Sequence, residues 1–402
     1  MTEMQDTPEQ AEFRERCRRW LAENRPAPPP FRLPQNAYEV MTEEQRRYLC
    51  DWQKKCYEAG LIACDFPKRY GGHGHTGFQR IATAEVQSAG VPYFINWIGL
   101  GMAAPTIFRH GTEEQKERFL PGIFSAADVW CQGFSEPGAG SDLAATQTFA
   151  ERTGDVWVVN GHKVWTSLAR FARWMLLLAR TSHDHKYDGL TYFIAPIADT
   201  EGVTVRPIIK MTGEYGFNEV LFENLEIGDD LRLDEVGKGW TVAMSTLTSE
   251  RGAVENAGGV TGESSDVWMA ELIALAKSTR RNGTSLWDNP VWRDRLAKLA
   301  ERVEAMRQSQ RRARVEGLID HPMRIPLAWK TVVTELNQAI AAAALEIEGM
   351  RSTLYVGDPK APAEGKWPLA YMNTYGVTIS GGSNEVQRNI LGERVLGLPK
   401  SK

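Results

Sequence analysis

A multidomain α+β fold is predicted, with helices in an N-terminal domain over residues 1–127, strands in a central domain over 128–236 and helices again in a C-terminal domain over 237–402. Two observations predict it. The spacing of apolar residues changes from the helical period to strand alternation near Val129, and returns to the helical period past Gly237-Lys238-Gly239-Trp240. The length of 402 residues, at about 150 per domain, allows two or three domains and a core large enough to need no disulfide or metal.

Thr7-Pro8 reads as an N-cap followed by proline at the first helical position. Phe13, Cys17, Trp20 and Leu21 then recur at three- and four-residue spacing up to Asn24, before PAPPP stops the helix. Thr42 with Gln45 forms a capping box opening a helix that carries Tyr48, Leu49, Trp52 and Cys56 on one side and ends at Gly60. Thr112 with Gln115 repeats the device, and the intervening PKRYGGHGHTG is too rich in glycine for regular structure. In the central region TQTFAERTGDVWVVNGHKVW alternates around predicted turns at Thr153-Gly154-Asp155 and Asn160-Gly161. WMLLLART and LTYFIAPI are buried-strand runs, and VTVRPI and NEVLFENLEI follow at intervals of about ten residues. This spacing predicts a small antiparallel barrel or sandwich over about 128–235. Stretches 290–318 and 326–353 repeat apolar residues every three or four positions, with charges on their other faces, which predicts a helix bundle.

Lys plus Arg number 47 against 51 Asp plus Glu, a formal net charge of −4, so no overall positive field draws the chain to nucleic acid or an anionic membrane. The opening MTEMQDTPEQ is acidic and polar, unlike a signal or transit peptide, and predicts a cytoplasmic protein. The longest uninterrupted apolar run, AIAAAAL at 339–345, falls far short of the roughly 20 residues that span a bilayer. Cys17, Cys50, Cys56, Cys64 and Cys131 are odd in number and lack CxxC spacing, and are read as reduced thiols filling the core.

Gly99-Leu-Gly101-Met-Ala-Ala104 has the spacing of a dinucleotide fingerprint but lies among helical signals without a preceding strand, and is read as close helix packing. His73 with His75, and His183 with His185, lack a third ligand and are read as loop histidines; no metal is expected. The basic RQSQRRARVEG (307–317) is read as a solvated helix face. CQGFSEPGAGSDLA (131–144) gathers Ser135, Gly138, Gly140 and Ser141 around a proline, either a cradle of exposed N–H groups for a phosphate or heteroaromatic ring, or a tight surface turn. NGHKVWTSLA (160–169) sets Trp165 beside Thr166 and Ser167, either a stacking surface with hydroxyls at its edge or a core tryptophan.

Taken in order, PKRYGG (67–72), SEPGAGSDLA (135–144), NGHKVWTS (160–167), GKGW (237–240), ER (250–251) and GGSNEVQRNILGERVLGLP (381–399) resemble the acyl-CoA dehydrogenase family over nearly the whole chain. The resemblance implies a helical N-terminal domain, a central β-barrel and a C-terminal four-helix bundle. It implies FAD as cofactor and an acyl-CoA thioester bound between flavin and base. The reaction implied is α-proton abstraction with β-hydride transfer to flavin N5, giving a 2,3-unsaturated acyl-CoA. Electron-transfer flavoprotein is the implied acceptor. By position Phe134 and Ser135 resemble contacts to the pyrimidine side of the flavin, and Gly140 and Ser141 belong to the turn near the pyrophosphate and acyl-CoA. Trp165 resembles the residue packed against the isoalloxazine, Thr166 a contact to its carbonyl edge and Ser167 the hydroxyl reaching N5. Gly381, Gly382, Ser383 and Glu385 resemble the turn that closes over the cofactor.

The base should be a carboxylate shielded from water, because desolvation raises its proton affinity. In many relatives that carboxylate immediately precedes the glycine of the last motif, a place held here by Gly381. A second family position, on a C-terminal helix directly before an arginine, matches Glu250-Arg251, so Glu250 is expected to be the base; Glu348 and Glu385 are the alternative acids. Homotetrameric members carry Arg-x-x-Phe-Gly and Gln-x-x-Gly-Gly-x-Gly segments that hold the adenine half of FAD across a subunit interface, where this chain has RQSQRRARVEG and LEIEGM. It resembles instead the bacterial members that pair two related chains in a heterotetramer, some of which act on bulky steroid or bile-acid thioesters. A catalytically silent partner subunit and a flavin-dependent acyl-CoA oxidase are the alternative readings.

Overall fold

The computed structural model describes residues 6–256, 264–312, 315, 317–321 and 323–400, the side chains of 250–256 excepted. The chain divides into two compact units, Asp6–Gly262 and Glu263–Lys402. No helix among the described residues is long and apolar enough to cross a membrane.

The first unit opens with α1 (Pro8–Glu23), α2 (Glu43–Glu58), α3 (Gln79–Ser88), α4 (Ala104–His110) and α5 (Glu113–Ser125). The capping boxes Thr7/Gln10, Thr42/Gln45 and Thr112/Gln115 all form, each satisfying backbone N–H groups that a helix start would otherwise leave bare. Gly99–Ala103 is a π-helical turn that runs directly into α4, and all five of its residues are buried, so the glycine spacing there serves packing. Asn96 joins these helices to the strands: its side-chain amide donates to the carbonyls of Ile123 and Asp128, and its oxygen accepts from Trp130 N.

Strands β1 (Trp130–Gly133), β2 (Phe149–Thr153), β3 (Val156–Ser167), β4 (Trp174–Arg180), β5 (Leu190–Pro196), β6 (Val203–Ile208), β7 (Phe217–Gly228) and β8 (Arg232–Leu233) form one sheet in the order β6-β7-β3-β2-β4-β5-β8, with β1 beside β4. Pairing is antiparallel except that β1 and β2 run parallel to β4. The strictly antiparallel expectation misses these two pairings because β2 and β3 themselves make the long crossover that a parallel return requires. β4 and β5 are buried along nearly their whole length, as uninterrupted apolar runs predict.

The predicted turn at Asn160-Gly161 does not form. β3 continues straight through it, with a bulge between Val159 and Gly161 against β7. Glycine is needed there because a Cβ would lie 2.4 Å from Thr148 Oγ1. The local Asn-Gly signal is thus used for a close approach between strands instead of a reversal. The Thr153-Gly154-Asp155 turn does form, joining β2 to β3.

α6 (Gly239–Asn256) packs on β5 and on the π-helical turn. Thr246 Oγ1 lies 3.0 Å from both Thr106 Oγ1 and Tyr192 Oη, and His110 bridges Asp234 Oδ2 at 3.0 Å and Ser245 Oγ at 2.8 Å. In the second unit α9 (Arg324–Glu348) is the central helix, packed against α7 (Ser265–Ser278), α8 (Pro290–Arg312), α10 (Lys366–Ile379) and α11 (Asn384–Ile390). Leu272, Leu296, Leu299, Leu336, Ile340 and Trp367 make its core, the predicted three-and-four spacing realised.

Two tests follow from this packing. Gly161→Ala should destabilise the protein by about 1–3 kcal/mol through overpacking against Thr148, read from denaturant unfolding. Asp229, which accepts from Arg232 and from Trp157 Nε1, has its carboxyl pulled from 3.8 to about 2, chiefly by Arg232. Because the folded value lies below the unfolded one, the stabilisation is fully present above pH 3.8 and is lost as pH falls through about 2. Asp229→Asn should therefore unfold more readily than the parent at pH 7, with the gap closing in strong acid.

Candidate functional site

The segment from Phe134 to Thr148 leaves β1 and reaches β2 with little regular structure, and buried charges hold it. Lys163, on the inward face of β3, donates from Nζ to Glu136 Oε1 at 2.8 Å and to the Phe134 carbonyl at 3.0 Å. Glu136 also accepts from the backbone N–H groups of Gln147 (2.7 Å) and Thr148 (2.9 Å), so the loop's exit is tied to its entrance. The buried guanidinium of Arg180 fastens the same stretch by donating to the carbonyls of Ala144 and Thr146. Burial pulls the Lys163 ammonium down to about 8, against the opposing pull of Glu136. Burial pushes Glu136 upward, but the Lys163 charge and the hydrogen bonds it accepts outweigh this, leaving its carboxyl below the ordinary value.

This anchoring leaves the tip of the loop outward. Glu136 and Ala139 exchange backbone hydrogen bonds across Pro137-Gly138, Gly140 and Ser141 are exposed, and a Cβ built on Gly138 or Gly140 meets nothing within 4 Å. Phe134 is buried edge-on to Tyr192, and the half-buried Ser135 lends its carbonyl to Val164 N at 2.9 Å. That bond brings together two segments read separately from the sequence.

Beyond Lys163 the register of β3 against β7 slips, and this bulge decides how Trp165, Thr166 and Ser167 point. Trp157, Val159 and Lys163 face inward at odd positions; unbroken alternation would bury Trp165 too. Instead Trp165 adopts φ +59° and is 57 % exposed, while Thr166 and Ser167 are buried. Trp165 is therefore no core residue. Thr166 Oγ1 is buried without a hydrogen-bond partner among the described residues, while its carbonyl accepts from Asn218 Nδ2.

Glu250 and Arg251 lie on the helix α6, but their side chains fall outside the described residues. The Gly381–Glu385 turn belongs to the second unit. Gly381 and Gly382 have φ +63° and +83°, a conformation glycine adopts without strain, and Ser383 caps α11 by accepting from Val386 N. Glu385 is exposed, its carboxyl held below the ordinary value by its own backbone N–H and the Ser383 hydroxyl. Lys330 clamps the turn, donating to the carbonyls of Thr378 and Gly382 and to Asn384 Oδ1. Glu348, at the end of α9, has both carboxyl oxygens buried without hydrogen-bond partners among the described residues, and burial pushes it up to about 7. In LEIEGM, Glu346 is instead ion-paired with Arg295.

Three family models match consecutive parts of the chain: the acyl-CoA dehydrogenase N-terminal domain over 7–127, the middle domain over 131–225 and the C-terminal domain over 237–396. The chain belongs to the acyl-CoA dehydrogenase family. Acyl-CoA dehydrogenase IpdE1 of Mycobacterium tuberculosis is 38 % identical over 396 residues, covering 97 % of this chain and 98 % of that one. Among solved structures, the Tcur3481-Tcur3483 steroid ACAD is similar with a TM-score of 0.79 at 27 % identity, covering both chains fully. The ChsE4-ChsE5 complex from Mycobacterium tuberculosis is similar with a TM-score of 0.78 at 28 % identity, again over 100 % of each chain. The protein is thus an oxidoreductase acting on acyl-CoA, in a family of FAD-dependent flavoproteins. Its residues fit such a cofactor: an exposed indole at Trp165, an unpartnered hydroxyl at Thr166 and an open glycine turn at Gly138–Gly140.

Sequence reasoning passed over Lys163, Glu136, Arg180 and Lys330. The first was detectable: a lysine on the strand parity shared by Trp157 and Val159 must find a buried anion. The others became visible only when distant carbonyls converged. Lys330→Met should lower the unfolding free energy by about 1.5–3 kcal/mol, the range for hydrogen bonds from a charged donor, checked by denaturant titration.

Proposed function

We propose that this acyl-CoA dehydrogenase binds FAD along the 134–141 loop and the 165–167 end of β3, and converts an acyl-CoA thioester to its 2,3-unsaturated form with Glu250 as the base. The observation that carries this reading is the Val164–Ser135 hydrogen bond, which brings both cofactor-resembling segments into one patch in a chain matched by all three family domains. FAD, when bound, supplies the hydride acceptor. Phe134 and Ser135 would border its pyrimidine side, Trp165 would pack against its ring and the Thr166 and Ser167 hydroxyls would donate to its edge. Gly140 and Ser141 would lie toward the pyrophosphate and acyl-CoA; Gly381, Gly382, Ser383 and Glu385, in the second unit, resemble the family's turn that closes over the cofactor. The thioester loses its α-proton to the Glu250 carboxylate as hydride leaves the β-carbon, and hydrogen bonds to the thioester oxygen stabilise the developing enolate. Arg251, next in the chain, offers Glu250 a neighbouring positive charge.

The full-length likeness to a two-chain complex and to a steroid ACAD favours a tetramer with a paralogous chain and a bulky acyl group, with electron-transfer flavoprotein as acceptor. The altered LEIEGM segment, where Glu346 pairs with Arg295, favours as second reading a partner subunit that shapes a neighbour's site. Anaerobic titration of the flavin-loaded protein with linear and polycyclic CoA thioesters tests both. Bleaching by a polycyclic thioester is expected, and Glu250→Gln should slow it by about 10²–10⁴-fold while Glu348→Gln leaves it within about threefold. Unchanged bleaching in Glu250→Gln removes the proposed base, and a complex whose activity ignores this chain's substitutions supports the subunit reading.

A further inference from the structure

Lys163 and Glu136 form a buried ion pair in which the lysine side chain is 0 % exposed and the carboxylate side chain 6 %. Such a pair has a large desolvation cost, and replacing one with packed apolar side chains is often neutral or stabilising, so stability does not account for it. Its geometry does. A single carboxylate accepts from Lys163 Nζ and from two consecutive backbone N–H groups, those of Gln147 and Thr148. A single ammonium joins that carboxylate to the Phe134 carbonyl. The backbone exchange between Glu136 and Ala139 then closes the turn at Gly138, and Val164 N, next to Lys163, holds the Ser135 carbonyl. Two residues beyond Lys163 the chain enters the left-handed conformation at Trp165. The hydrogen bonds that tie the loop's entrance to β3, from Lys163 Nζ and Val164 N, are made at this pair or one residue from it.

We propose that Lys163 and Glu136 are positioning residues for the flavin, setting the separation between the Phe134–Ser135 border and the Trp165–Ser167 edge. This inference rests on the FAD reading given above. The pair touches neither substrate nor reacting atoms in this role; it acts through the loop and the bulge. A charged pair suits the task because its two ends are fixed by short, directional hydrogen bonds, where apolar packing would let the loop slide.

Two variants separate geometry from fold. Glu136→Asp keeps the charges but shortens the reach by one methylene, and the double variant Lys163→Met with Glu136→Gln keeps the shape but removes both charges. In the full-length protein stripped of flavin, amide exchange at Gln147 and Thr148 should quicken several-fold in both variants, with the unfolding midpoint of the double variant little changed. On adding FAD back, its Kd should rise at least about tenfold in each, or about 1.4 kcal/mol. If Glu136→Asp does not fold, the double variant decides alone. Wild-type FAD affinity in the variants overturns the positioning role, whether or not exchange quickens. A parent protein that takes up no FAD overturns instead the functional reading beneath it.

Discussion

A buried ammonium and a buried carboxylate, Lys163 and Glu136, join two stretches that lie 27 residues apart in the chain, and the candidate cofactor patch depends on that junction. Without it the Phe134 carbonyl and the N–H groups of Gln147 and Thr148 would lose the partners that they have here. With it, three donors meet one carboxylate in a dry interior where each hydrogen bond is strong and an orphaned partner costly. Arg180 repeats the principle further along the loop, a buried guanidinium satisfied by main-chain carbonyls. Arg180 itself ends β4, which with β5 is buried along nearly its whole length.

Two register shifts between β3 and β7 show how a regular strand is made to serve a site. At the first, the extra residue lies on β7, where Glu223 and Asn224 oppose Asn160; the neighbouring Gly161 lets Thr148 approach closely, and Thr148 N is itself held by Glu136. The second, after Lys163, reverses side-chain parity so that an indole faces outward while the hydroxyl of Thr166 turns in. Each irregularity adds one residue to one strand and thereby re-aims everything beyond it. The strained φ at Trp165 sits at the point of reversal, where the surrounding pairing over-determines it.

Much of the framework was legible because its causes are local. The helix starts at Thr42 and Thr112 are written in a hydroxyl followed three residues later by glutamine, and the start at Thr7 in a hydroxyl followed by proline, and all three form. The buried runs of β4 and β5 are written in composition alone. The Asn160-Gly161 reading failed because the same dipeptide serves a hairpin turn or a bulge, and the choice is made by the partner strand. The direction of β1 and β2 against β4 was hidden for the same reason, since pairing partners far apart in sequence leave no periodic trace. The resemblance of ordered motifs singled out Phe134, Ser135 and Trp165–Ser167 as segments, which the Val164–Ser135 hydrogen bond brings side by side, but said nothing of the contact between Lys163 and Glu136.

The amino-acid sequence by itself determined the alternation of helical and strand regions, the capped helix starts and membership of the acyl-CoA dehydrogenase family, because propensity, capping and motif order act over a few residues at a time. Only the tertiary structure decided which way Trp165 faces, that Lys163 is buried and paired, that Lys330 clamps the Gly381–Gly382 turn and that the Glu348 carboxyl is buried. Those outcomes depend on register and on desolvation, and both are properties of the partners that folding brings together.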